Sequence, residues 1–175
     1  MVSAVRLLCA ASLARSVRPV PLKIIAVTKG TSSRAGQLHA DEWAAKLRRY
    51  CPVVELAVKP NPLNAKDPTV AKQHEGERVM KALAPGERLI VLDERGRDVS
   101  SEDVARLLAA AGDDGCAGLA FAIGGPHGHA PAVRERADDV VRLSSCVLNH
   151  SVARLVLLEQ LFRGWTILRG EPYHH

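Results

Sequence analysis

Acidic residues are missing from the first forty positions; the first is Asp41. The segment from Met1 to Pro21 holds Arg6, Arg15 and Arg18 among Ser, Ala, Val and Leu. Coiled as a helix, it puts Val5, Leu8 and Ser12 on one face beside Leu7 and Leu13, with Arg6 and Arg15 elsewhere. A basic, serine-bearing, acid-free amphipathic start has the pattern of a mitochondrial or chloroplast transit peptide, the plastid being slightly preferred. A secretory signal would need a longer uninterrupted apolar stretch than VRLLCAASLA supplies. Residues 1–21 are therefore expected to be an organelle transit peptide, and residues 22–175 a single domain.

Other scarcities exclude whole classes. No apolar run approaches the length that crosses a bilayer, so no membrane partner is expected. The four cysteines, Cys9, Cys51, Cys116 and Cys146, form no C-x-x-C pair. That argues against a disulfide framework and a zinc site, and leaves Cys51 and Cys116 as packed thiols. His127 and His129 lack further ligands nearby in sequence, so no metal is expected. Neither G-x-G-x-x-G nor a P-loop occurs, which removes the usual signals for NAD and ATP. The formal charge of +5 is largely a property of the leader. Setting aside its three arginines leaves 21 of the 24 basic residues against 19 acidic ones. Any surface for nucleic acid must then be a local patch. Aromatics number six, and three of them, Phe162, Trp165 and Tyr173, fall in the last fourteen residues.

What is present alternates between strand and helix. Lys23–Thr28, Val53–Val58, Arg88–Leu92, Gly118–Ile123 and Val140–Leu143 are β-branched or apolar runs that read as buried strands. Helical spacing occupies Gly36–Arg49, Val70–Leu83, Ser100 to about Ala111, Ala132–Ala137 and Asn149 to about Gly164. Three prolines between Lys59 and Pro68 make that stretch a loop. Ser100 with Asp103 three residues on reads as an N-cap, Gly112 as a helix stop, and Asp93–Asp98 as a polar turn. Strands separated by helices imply a mainly parallel sheet with helices on both faces, the α/β class.

In such sheets ligands collect where the chain leaves the carboxyl ends of strands. Three of those ends are unusual: Leu92-Asp93, the turn Gly124-Gly125-Pro126-His127-Gly128, and Leu143 to His150. Glycines after an apolar strand let a ligand or another segment approach the backbone.

These segments occur in a particular order. Phe121-Ala-Ile-Gly-Gly-Pro-His-Gly is followed by Arg142-Leu-Ser-Ser-Cys-Val-Leu-Asn-His150. Ala153 to His174 then carries Leu-Phe-Arg-Gly-Trp and closes on Arg-Gly-Glu-Pro-Tyr-His. Together with Val27-Thr28-Lys29, Lys72-x-x-Glu75-Gly-Glu77 and Leu92-Asp93-x-x-Gly96, this order resembles the RlmH branch of the SPOUT methyltransferases over about residues 22–175. The resemblance implies a SPOUT fold with a C-terminal deep trefoil knot, a rare exception to the rules of chain connection. It also implies S-adenosylmethionine as cofactor, held by Leu92, Gly124, Leu143, Ser144, Ser145, Cys146, Val147 and Leu148 through backbone groups and apolar walls. The implied reaction is methylation of ring N3 of a pseudouridine in large-subunit ribosomal RNA, with the ribosome as partner and a homodimer as the acting form. Cys146 stands where the family often has an apolar residue such as Met, and Asn149 where it has Pro.

Methyl transfer from a sulfonium is an in-line displacement that rests on positioning. A pseudouridine N–H must also lose its proton, and His150 and His174 are candidate acceptors. Arg154, Arg163 and Arg169 are candidates for phosphate contact or charge stabilisation. Tyr173 and His174, beyond Gly170 and Pro172, are expected to lie outside the core and to meet the RNA base by stacking. The helix from Asn149, with Leu155, Leu158, Leu161, Phe162 and Trp165, is apolar enough either for a shared dimer interface or for an internal core. Two rival readings keep the fold: a non-catalytic ribosome-binding or assembly factor, and a methyltransferase of another RNA or a small molecule.

Overall fold

The computed structural model describes residues 16–29, 34–61 and 63–173. In chain order it builds β1 (Leu22–Val27), α1 (Arg34–Leu47), β2 (Val53–Val58), α2 (Pro68–Lys81), β3 (Glu87–Asp98), α3 (Ser101–Asp113), β4 (Gly118–Ile123), α4 (Pro131–Arg136), β5 (Asp139–Arg142) and α5 (His150–Arg169). The strands form one sheet in the order β2-β1-β4-β3-β5, and every pairing is parallel. Parallel strands need crossovers, and the helices supply them. All six residues of β4 are buried, which is why Gly118–Ile123 is apolar throughout and does not alternate.

The sheet separates two cores. On one face Leu22, Ile24, Ile90 and Phe121 pack against Leu108 of α3 and Leu158, Leu161 and Trp165 of α5. On the other, Ile25, Val27, Leu89, Val91 and Ala122 pack against Val79 of α2 and Val133 of α4. Helix α5 lies against both α1 and α3. Its large apolar residues are consumed there: Leu158, Leu161 and Trp165 are fully buried within the single chain. The helix is thus a core element, and those side chains are not open to a second copy.

Several boundaries differ from the sequence reading, each for a visible reason. Strand β3 does not stop at Leu92 but runs through Asp93–Asp98, pairing Arg97 and Asp98 with β5 after a register shift. Gly96 permits this: a Cβ there would sit 2.5–2.7 Å from the Val141 backbone. Gly112 does not stop α3. It lies inside the helix because the chain at Val17-Arg18 crosses it, and a Cβ would meet the Arg18 carbonyl oxygen at 2.5 Å. Likewise Gly164 is a close crossing against Leu108 and Ala105, and α5 continues to Arg169, where Gly170 in the left-handed region ends it. The folded domain also begins earlier than residue 22. Val17 and Val20 belong to the core, at 3% and 0% exposure. Of the transit peptide expected over residues 1–21, positions 1–15 lie outside the described residues.

Candidate active site

Strand β3 leaves the sheet toward α3 on one face, while its neighbour β4 leaves toward α4 on the other. Divergent exits open a crevice at the carboxyl ends of adjacent strands. A cavity of about 410 Å³ lies there, walled by the end of β3 (Leu92–Arg95), the turn after β4 (Ile123–His129) and the segment after β5 (Val141–Leu148), and closed by the start of α5. This size suits a small organic molecule.

His129 is the strut of the glycine turn. Its ring is buried, with Nε2 3.1 Å from the Leu92 carbonyl, so Nε2 carries the proton and donates. Burial pushes its pKa below the usual histidine value, against the opposing pull of the Leu92 carbonyl and of Asp93. A neutral imidazole thereby ties the end of β3 to the turn after β4. Within the turn, Gly128 has φ +73 and closes a tight loop by donating from its N–H to the Gly125 carbonyl. Gly125 is required for a different reason: a Cβ there would fall 2.7 Å from Oε2 of the buried Glu75.

The cavity floor carries a charged pair. The Asp93 side chain, 4% exposed, accepts from Arg134, whose Nε is buried without a hydrogen-bond partner. The pair sits among the apolar side chains of Leu92, Ile123, Val141, Leu143 and Leu148. Apolar walls with a few convergent polar groups, one of them an unused donor, are the chemistry that an adenosyl group with an amino-acid tail demands. On that ground the residues present fit S-adenosylmethionine.

Of the residues expected to hold the cofactor, Leu92, Gly124, Leu143, Ser144, Cys146, Val147 and Leu148 line this cavity. Ser145 is exposed between them and does not line it. The Ser144 hydroxyl accepts from the Cys146 N–H at 2.9 Å, which fixes the bend of the segment. His150 lines the cavity as the first residue of α5. Asn149 caps that helix, its side chain accepting from the Val152 N–H at 3.0 Å, so a capping side chain orients His150 where a proline would otherwise stiffen the loop.

Arg154 and Tyr173 are not brought to the cavity within one chain. Arg154 lies in a separate groove with Gln37 and Glu55, making a two-pronged pair with the Glu55 carboxylate at 2.6 and 3.1 Å. Tyr173 is not a free tail residue. Its ring packs edge-on against Phe162 and Trp43, lies under the Arg163 guanidinium, and donates its hydroxyl to Glu159 at 3.1 Å. Arg163 itself pairs with Glu159. His174 lies outside the described residues. Sequence reasoning marked Asp93 only as part of an unusual strand end and His129 only as an incomplete metal pair, and it did not single out Arg134; all three line the cavity. The buried Asp at the first polar position after an apolar strand was the available signal for Asp93; nothing in the sequence marked Arg134.

Cys51 is a packed thiol, its pKa pushed up to about 11 by burial. Among the described residues no group of three or more His, Cys, Asp or Glu side chains could hold a metal ion, and no helix is long and apolar enough to cross a membrane.

A parallel α/β sheet with a cleft built from three strand ends and the following helix has the architecture in which small molecules bind, and comparison with known proteins fixes the class. Residues 20–174 match the family described as Predicted SPOUT methyltransferase, and the chain belongs to that family. It is 45% identical over 161 residues to a protein of Arabidopsis thaliana provisionally named an RNA methyltransferase, covering 92% of this chain and 83% of the relative. It is also 45% identical over 135 residues to the ribosomal RNA large subunit methyltransferase H of Geotalea uraniireducens, covering 77% of this chain and 87% of the relative. The enzyme of that name from Syntrophotalea carbinolica is 43% identical over 136 residues, 78% and 87% of the two chains.

Proposed function

We propose that this protein transfers the methyl group of S-adenosylmethionine to ring N3 of a pseudouridine in organellar large-subunit ribosomal RNA. The observation that carries the proposal is the cleft at the β3, β4 and β5 ends, whose walls are the residues the family resemblance assigned to the cofactor. Bound there, S-adenosylmethionine supplies an electrophilic methyl group on a sulfonium.

The chain's own residues do the rest. Leu92, Leu143 and Leu148 would hold the adenosyl group on apolar walls, and backbone groups of the turn at Gly124 and of the Ser144–Leu148 segment would offer it hydrogen bonds. Asp93, held by Arg134, offers a buried carboxylate for the ammonium of the methionine tail. His150 is the proton acceptor for the pseudouridine N–H: of the expected catalytic side chains in the described residues, it is the one that lines the cleft. Arg154 and Tyr173 reach a reacting base only if contributed by a second copy, which is how the homodimer enters the proposal. A knotted C-terminal segment, residues 1–15 as an import leader, and a plastid or mitochondrial destination complete it.

The test is mass spectrometry of large-subunit ribosomal RNA from each organelle of a line lacking the protein, paired with methylation of those subunits by recombinant enzyme. Loss of one methylpseudouridine, restored by the enzyme and cofactor, is the expected result. Unchanged RNA in both organelles, with cofactor binding intact, would instead make the protein a binding factor or a methyltransferase of another substrate.

A further inference from the structure

Arginines in this protein are mostly spoken for. Arg88, Arg97, Arg106, Arg142, Arg154 and Arg163 each pair with a carboxylate within the chain, and Lys23 and Lys46 do the same. Other cations have no ion pair among the described residues: Arg18, Arg34, Arg48, Arg49, Arg78, Arg169 and Lys81 are scattered, whereas four further lysines follow one another between β1 and the second turn of α2. Lys29, Lys59, Lys66 and Lys72 carry no ion pair among the described residues.

The fold gathers these four at one place. Lys29 follows β1 and Lys59 follows β2, and the Thr28 N–H donates to the Val58 carbonyl at 2.9 Å, so the two strands end side by side. Lys66 ends the next loop, and Lys72 stands in the second turn of α2, which that loop enters. All lie at the carboxyl edge of the sheet. In the strand order β2-β1-β4-β3-β5 the lysines stand over the first two strands and the cleft over the last three. Adjacent strands are about 4.8 Å apart, so the patch directly flanks the cleft.

Described residues between Lys59 and Lys66 are tied by specific contacts. Asn61 and Asn64 both take positive φ, 41° and 53°, a conformation that asparagine tolerates better than most residues. The Asn61 side chain donates to the Ala65 carbonyl at 2.9 Å and accepts from the Ala65 N–H at 2.7 Å. The Asn61 N–H donates to Oε1 of Glu75, whose side chain is buried and whose other oxygen abuts Gly125 of the glycine turn. One buried carboxylate thus locks the lysine loop to the wall of the cleft. Between Lys59 and Lys72 the one acid is Asp67, which keeps its charge while capping α2 by accepting from Thr69, so cations outnumber acids in that stretch three to one.

We infer that Lys29, Lys59, Lys66 and Lys72 form a phosphate-binding surface that seats the RNA backbone beside the cleft. The inference rests on an RNA substrate, and its test is arranged to fail separately from that reading. Each lysine that neutralises a phosphate releases a counterion, which makes affinity fall with salt by a slope of roughly 0.7–0.9 per contact.

The probe is a large-subunit ribosomal RNA transcript, bound to full-length protein across a salt series without turnover. Lys59→Gln with Lys66→Gln should lower the slope by about 1.4 to 1.8 and the affinity on the order of tenfold at low salt. S-adenosylmethionine affinity and Tm should be unchanged, because both side chains are exposed. Arg48→Gln with Arg49→Gln removes the same charge from the opposite edge, and should leave the slope within experimental scatter of wild type. Equal slopes for wild type and the Lys59/Lys66 variant would overturn the patch, even if methylation of large subunits is intact. An equal loss in the Arg48/Arg49 control would also overturn it, since bulk charge would then be the cause. A reduced slope in the lysine variant alone upholds the patch, whichever RNA proves to be methylated.

Discussion

At Gly124 the space a side chain would enter is already occupied by the protein. A Cβ there falls 3.0 Å from the His129 ring and 3.1 Å from the Gly128 carbonyl carbon. Gly124→Val therefore strikes the strut that joins the turn to β3, and should lower Tm and cofactor affinity together by displacing His129. A cleaner probe of the proposed cofactor site is Val147, which lines the cleft yet is 83% exposed. Val147→Asp should leave Tm nearly unchanged, as exposed substitutions do, while weakening S-adenosylmethionine binding by about tenfold or more for an acid placed on an apolar wall. Calorimetry on both variants separates the two effects; unchanged affinity in Val147→Asp would remove that segment from the site.

His129 also makes stability depend on pH in a defined direction. Its folded pKa is depressed by burial, so the unfolded chain, with an ordinary value near 6.5, takes up the proton more readily. The contribution is fully present above that unfolded value and is lost as pH falls through the folded one. Urea midpoints measured between pH 8 and pH 5 should drop for the wild type by more than for His129→Gln, which lacks the titrating ring. Parallel curves for the two proteins would show that the ring is not the group responsible.

Elements differ in how openly the sequence declares them. The capping box at Ser100 and Asp103 is stated in four residues, and both reciprocal bonds form, at 3.2 and 2.9 Å. Gly118–Ile123 was legible because a strand buried on both faces has no polar position to break the run. What the sequence hid were long-range causes for local residues. Gly96 and Gly112 look like turn and stop signals, but one admits the Val141 backbone and the other the Arg18 carbonyl, partners 45 and 94 positions away in the chain. The lining of the cleft was legible through the family resemblance, whereas the packing of Tyr173 was not, because a short polar ending gives no hint that Glu159 and Phe162 stand ready to receive it. The caps offer a matched test of element against site. Asn149→Ala and Ser100→Ala each remove one N-cap at a cost of about 1 kcal/mol. Both should lower the urea midpoint similarly, but only Asn149→Ala, which frees the turn carrying His150, should also lower the single-turnover methylation rate.

At the scale of the whole molecule, burial limits how far the proposed leader can extend. Val17 and Val20 enter the core beneath α3, and Gly112 lacks a side chain so that this segment can cross the helix. Fully burying two valines stabilises by roughly 1.5–3 kcal/mol each, partly offset by the entropy of ordering the segment. Set against a typical total of about 5–15 kcal/mol, that is too much to discard in a mature protein. A chain starting at residue 16 should therefore match the full-length protein in Tm and cofactor affinity, whereas one starting at Leu22 should melt several degrees lower and expose the groove over Gly112. Biology should respect the same limit. If residues 1–15 direct import, a fluorescent fusion of that segment with a short spacer enters an organelle, and the imported enzyme retains Val17. Mass spectrometry of the mature N-terminus decides the matter: a terminus at or before Val17 fits a leader that ends where packing begins, and a terminus beyond Val20 would mean that these two valines contribute nothing the working enzyme needs.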